Sequence, residues 1–173
     1  MYGLRLAIFA LLAAGSSGAI WGQSPQDVSS AQATVRVSIP AKVRVSQVED
    51  IDLGTWSGSG PLEAEKQLCV WSSTEAYGIT ITTTEGGRGF AMSGPGRKAL
   101  SYDVLWNAGA GYQTLDSGQT YSGFSASARS LQCDAGDDPA TRPWLKISVA
   151  EKDLNGAQAG SYSDAITILI ATE

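Results

Sequence analysis

The side chains able to do chemistry in this 173-residue chain are few, and the commonest one is missing. There is no histidine, which removes the usual general base and the usual transition-metal ligand. Glu49, Asp50 and Asp52 cluster, as do Asp134, Asp137 and Asp138. Paired carboxylates can serve as acid and base in glycoside hydrolysis, but in polar surroundings such groups are ordinarily solvated loop charge. Asp134 to Asp138 offers oxygen ligands for calcium yet lacks EF-hand spacing. Gly86-Gly-Arg-Gly89 has no following Lys-Ser/Thr and no helix, so it is not a phosphate loop. Serines abound without a base to activate one. No catalytic residue, metal ligand or cofactor site is assigned, and the chain is expected not to be an enzyme.

Cys69 and Cys133 are the two cysteines. Neither has a histidine to activate it as a nucleophile. In an exported protein the expectation is one disulfide between them. Its loop of more than sixty residues would stabilise the fold by roughly 4 kcal/mol on a chain-entropy argument.

Export is read from the start of the chain. Leu6 to Ala14 is an apolar run too short to span a bilayer, preceded by Arg5 and followed by small residues. This is the pattern of a signal peptide over 1–22, cut after Ala19 or Gly22. The net charge of −5 and the absence of a basic run exclude nucleic acid as an expected partner. Trp56, Trp71, Trp106, Trp144, Tyr112 and Tyr121 could stack on sugars, which gives the alternative function of a secreted carbohydrate-binding module. The tryptophans sit in strand-like alternations and suit a core; Tyr112 and Tyr121, in loops, are the better surface candidates.

These residues need elements to hold them, and the elements read as strands. Ile166, Ile168 and Ile170 lie two apart in the final stretch, with Tyr162 in phase, and Asp164 breaks the apolar row. Val43 and Val45 alternate against Lys42 and Arg44. Further strands are expected at 49–56, 62–73, 77–84, 90–92, 100–106 and 144–149, with short ones between 112 and 130. Glu85 to Gly89 reads as a hairpin-type connection, and 153–160 as a loop with one helical turn. Seven or more short strands with turn signals between them predict a β-sandwich over 41–173. Residues 23–40 form a polar leader followed by another alternating row: Ala31, Ala33, Val35, Val37 and Ile39, ended by Pro40.

That second row admits two readings. It is either the domain's own first strand or a donor strand that completes a neighbouring copy. The donor reading is adopted here, with Val43, Val45, Ile166, Ile168 and Ile170 as the receiving groove. An edge with unpaired main-chain groups accepts an extended segment, and alternate side chains fill pockets.

Four ordered stretches resemble the spore coat protein U-like domain family, exported relatives of archaic chaperone–usher pilus subunits. They are Leu53-Gly-Thr-Trp-Ser-Gly-Ser-Gly60, Leu68-Cys-Val-Trp-Ser-Ser73 with Tyr77-Gly-Ile-Thr-Ile81, Ala99-Leu-Ser-Tyr-Asp-Val-Leu-Trp106 and Ala159-Gly-Ser-Tyr-Ser-Asp-Ala-Ile-Thr-Ile168. The family often has a cysteine near its first strand, where this chain has Val43 or Val45, and Cys133 has no match in its pattern. The resemblance implies an all-β, incomplete immunoglobulin-like β-sandwich completed by a donor strand from a neighbouring subunit. It also implies a structural subunit of a surface pilus or coat, with a role in adhesion or biofilm formation. Its partners would be other copies or related subunits, a periplasmic chaperone and an outer-membrane usher, without stable membrane insertion.

Overall fold

In the computed structural model, residues 29–84, 89–126 and 142–173 are described. The chain divides into two units, Met1–Val37 and Ser38–Glu173. The described part of the first unit, residues 29–37, carries no strand and is exposed throughout. The signal sequence lies outside the described residues.

The second unit is built from strands because its apolar residues recur every second position. In β6 (Ala99–Asn107) Leu100, Tyr102, Val104 and Trp106 are buried while Ser101 and Asp103 face out. In β9 (Trp144–Val149) Leu145, Ile147 and Val149 take the inner face. In β4 (Ala76–Thr83) Tyr77, Ile79 and Ile81 are fully buried. These rows share one hydrophobic cluster with Leu68, Val70, Phe90, Leu115 and Leu154.

One layer has the order β2-β9-β6-β5, with β7 also on β6, where β2 is Leu62–Gln67, β5 Phe90–Ser93 and β7 Gln113–Leu115. The remaining strands form a three-stranded sheet β10-β4-β8 and a separate pair β1-β3 whose β1 approaches β10, where β1 is Val43–Ser46, β3 Cys69–Ser72, β8 Thr120–Ser125 and β10 Ile166–Thr172. Every pairing is antiparallel. The single α-helix among the described residues, α1, is Glu151–Asn155.

Three expectations need correction. Residues 49–56 form no strand; Asp52 turns the chain by accepting the Gly54 N–H, and Gly54 has φ +75°. Its apolar residues Ile51, Leu53 and Trp56 still pack on the core. The strand expected over 62–73 breaks at Leu68, which is buried and donates its N–H to Pro143 O at 2.9 Å. The break lets β2 pair with β9 and β3 pair with β1. The connection at 85–89 is not a hairpin, since β4 pairs with β10 and β8 whereas β5 pairs with β6. Residues 85–88 themselves lie outside the described residues.

Candidate functional site: two open strand edges over the core

The residues nearest to a site are those of β1 and β10. Among the described residues β1 pairs only with β3, and β10 only with β4. Among these residues each therefore has one open edge. Cα atoms of the two strands come within 8 Å of each other, yet no ladder joins them.

The direction of the backbone groups follows from the pairing. Lys42 and Ser73 face each other at the β1–β3 ladder's end: Ser73 N–H donates to Lys42 O at 2.9 Å, and Lys42 N–H donates to Ser73 Oγ at 2.8 Å. In an antiparallel ladder such pairs alternate with pairs whose N–H and C=O point outward. Val43 and Val45 are those outward pairs. On β10 the Thr84 N–H donates to Ala165 O at 3.2 Å. By the same alternation, Ile166, Ile168 and Ile170 turn their main-chain groups away from β4. All five have half-buried side chains that pack on the core cluster. Thus the five residues expected to form a groove combine apolar floor and open main chain. An apolar floor between unpaired edges is a surface that accepts a strand.

The start of β10 is fixed by Asp164. Tyr102 Oη donates to its Oδ2 at 2.7 Å, and Thr83 Oγ1 donates to the same oxygen at 2.5 Å. Thr84 Oγ1 at 3.0 Å and the Ala165 N–H at 2.8 Å donate to Oδ1. Desolvation pushes the carboxyl upward, but the donors from Thr83, Tyr102, Thr84 and Ala165 outweigh it and hold Asp164 below the usual carboxylate range. Burial first, and then the bonded Asp164 carboxylate, push the Tyr102 phenol far up.

Asp164 stands where the chain changes sheets. Ser163 exchanges two hydrogen bonds with Ser93 at the end of β5, and two residues after Asp164 the chain joins β4. Just before, Tyr162 packs against Gly94 so closely that a Cβ there would lie 2.1 Å from its ring. The far end of β10 is held by the Glu173 carboxylate, which accepts the Gly123 N–H of β8 at 2.9 Å. The strand is pinned at both ends and open along its middle. The sequence reading missed Asp164 as the anchor, although the Gly160-Ser-Tyr-Ser-Asp164 stretch carried the signal.

The other sequence candidates separate. Val35, Val37 and Ile39 are 94%, 86% and 82% exposed, and residues 29–42 belong to no strand. Cys69 is buried and disulfide-bonded; Cys133 lies outside the described residues, as do Asp134, Asp137 and Asp138. Glu49 pairs with Lys66 at 3.1 Å, and Asp52 is used in its turn. Among the described residues no cluster of three or more His, Cys, Asp or Glu is placed to hold a metal.

Of the aromatics, Trp106 is fully buried and stands edge-on to Tyr77. Trp56 donates to Gly60 O at 2.8 Å. Trp71 and Trp144 are half-buried. Tyr112 donates to Glu65 and has the Lys146 ammonium 5.5 Å from its ring centre, so one face is taken. Tyr121 is closed in a mutual clamp with Asp116. A depression of about 550 Å³ is lined by Trp106, Phe124 and the turn 108–111, but by neither tyrosine.

No family model matches the chain, and no curated protein matches it. Among solved structures the chain is similar to one described as "Chaperone-tip adhesin complex is vital for synergistic activation of CFA/I fimbriae biogenesis". The TM-score is 0.51 at 14% identity, over 77% of this chain. This chain spans 41% of that one's length. At that identity the likeness is one of fold: the chain is an immunoglobulin-like β-sandwich related in architecture to a fimbrial assembly component.

Proposed function

We propose that this chain is an exported structural subunit of a bacterial surface pilus or coat, of the spore coat protein U-like kind. Copies join by strand donation: Ala31, Ala33, Val35, Val37 and Ile39 of one molecule enter the groove between β1 and β10 of the next. One observation carries this reading. The five groove residues face the open edges with their main-chain groups while their side chains pack on the core.

The apolar row 31–39 is the matching half. Burying Val35, Val37 and Ile39 would contribute roughly 1.5–3 kcal/mol each, before ordering costs. Two strand spacings total about 9.5 Å, so the edges part where they lie nearest. A subunit with such edges needs a holder before assembly, which fits a periplasmic chaperone and an outer-membrane usher as partners. The fimbrial complex of similar fold supports partners of that type. The assembled product would stand on the cell surface and serve adhesion or biofilm formation. The disulfide of Cys69 would pair it with Cys133.

The test is a fusion. A copy of residues 31–39 is attached after Glu173 through a short flexible linker. The expected result is a soluble monomer with a raised melting temperature, while the unfused mature chain self-associates or unfolds easily. An unfused chain that stays monomeric and is no less stable than the fusion would overturn the proposal.

A further inference from the structure

We infer that the depression between β7 and β8 is a binding site for one uncharged sugar residue, held by the Gln113 amide and the open main chain of β8 against the Phe124 ring. The inference does not depend on strand donation, since no residue of β1 or β10 lines the depression.

It begins with a broken pattern. β6 and β7 pair Val104 with Leu115, both buried, and Trp106 with Gln113. Alternation puts Gln113 on the same inner face as Leu115, where an apolar side chain belongs. An amide stands there instead, and it is exposed. Phe124 shares the departure: its ring centre lies 5.6 Å from that of Tyr77 in the core, yet it is only half-buried. The sheets thus stay open between these two strands. The gap is the depression of about 550 Å³, with the fully buried Trp106 as its floor. That volume is in the range of small-ligand pockets. A position that breaks the local pattern with no gain in packing marks function.

The walls are set in advance. Asn107 Oδ1 accepts the Gly109 N–H at 2.8 Å and the Gly111 N–H at 3.1 Å, which fixes the turn above Trp106. Across the gap the Glu173 carboxylate fixes Gly123. A site ordered before its ligand arrives loses less on binding.

What the walls offer is uncharged and able both to donate and to accept. Among the described residues β8 pairs only with β4. The Ala126 N–H donates to Glu75 O at 2.9 Å, so by antiparallel alternation Ser125, opposite Ala76, turns its N–H and C=O to the open side. The Gln113 amide has donors and an acceptor, and no side-chain hydrogen bond among the described residues engages it. Trp106 Nε1 has no acceptor either. None of the lining residues is charged. Sugar hydroxyls donate and accept around an apolar ring face, which matches amide, main chain and Phe124 together. An ion would be desolvated there without a counter-charge.

The test is equilibrium dialysis of the mature chain, which reads binding whether or not the chain assembles. The probes are the methyl glycosides of glucose, galactose, mannose and N-acetylglucosamine, with methyl glucuronide as the charged control and 1-hexanol as the apolar one. At least one neutral glycoside should bind at one site per chain, in preference to both controls. Gln113→Leu completes the apolar inner row, so it should keep or raise the melting temperature while weakening that binding by about tenfold. Gln113→Ala should weaken it to a similar degree if Gln113→Leu folds poorly. No binding of any neutral glycoside, a preference for the glucuronide or for hexanol, or undiminished binding by both variants would overturn the inference. None of these results bears on the fusion experiment, which tests the edges of β1 and β10.

Discussion

At the scale of single residues, Asp164 fixes the start of β10. Its carboxylate gathers four donors, from Thr83, Thr84, Tyr102 and the Ala165 N–H, between the Ser163–Ser93 bridge and the start of β10. Hydrogen bonds to a charged group contribute about 1.5–3 kcal/mol. Asp164→Asn should therefore lower unfolding free energy by about 2 kcal/mol, read by urea denaturation, and lower the affinity of the groove for a peptide of residues 31–39. The sign of the acid dependence follows. A carboxyl depressed in the folded state stabilises above its unfolded pKa near 3.8 and ceases to do so as pH falls through the lower folded value. Wild type should lose stability below about pH 4, and Asp164→Asn should lose less there.

Tyr77 behaves the opposite way. Burial raises its phenol to about 12, with the nearby Trp106 N–H offsetting this slightly. Neither Tyr77 Oη nor Trp106 Nε1 makes a well-formed hydrogen bond. A raised group stabilises fully below its unfolded pKa near 10, and that contribution is lost as pH rises through about 12. Tyr77→Phe should leave neutral stability unchanged or higher by up to about 1 kcal/mol. It should also shift alkaline unfolding to higher pH, followed by near-ultraviolet circular dichroism. Gly94→Ala should destabilise by about 1–3 kcal/mol, since its Cβ would occupy the Tyr162 ring.

At the scale of elements, the two apolar rows ought to respond differently to the same chemical change. Val37 is exposed, so Val37→Asn should move the melting temperature of the isolated subunit little, within about 0.5 kcal/mol. Polymer formation, measured by light scattering, should be abolished. Ile168 packs on the core from an open edge. Ile168→Asn should reduce both stability and assembly. If both variants unfolded the subunit equally, the exposed row would be part of the fold rather than a donor. The edge strand on the other layer needs no such completion: β2 carries Glu63, Glu65 and Lys66 along its length, the charged pattern that discourages pairing at an edge.

For the whole molecule, strand donation as proposed would make a polymer whose links are folding events. Each donated strand would supply both hydrophobic burial and a missing ladder, so subunit stability and polymer stability would be one quantity. A covalent clamp suits such a subunit: Cys69 sits beside Trp71 on β3, next to the β1 edge. Reduction should lower the melting temperature of the fused monomer, and peptide mapping under non-reducing conditions should join the Cys69 and Cys133 peptides.

What the sequence settled by itself was whatever depends on local periodicity. Two-residue alternation in Leu100 to Trp106 and Trp144 to Val149 already marks one buried and one outward face, because a strand turns successive side chains to opposite sides. The missing histidine and the scattered acids gave only the expectation that the chain is not an enzyme. Val43, Val45, Ile166, Ile168 and Ile170 were legible as members of apolar rows. That their main-chain groups also face open edges was not, because pairing partners are chosen by contacts far apart in the chain. For the same reason only the tertiary structure could break the 62–73 strand at Leu68, give β4 and β5 different partners, and turn Asp164 from an interruption in an apolar row into the anchor of the last strand. The acidic stretch 49–56 looked like a strand by composition, yet Asp52 and Gly54 fold it into a turn whose apolar residues still reach the core.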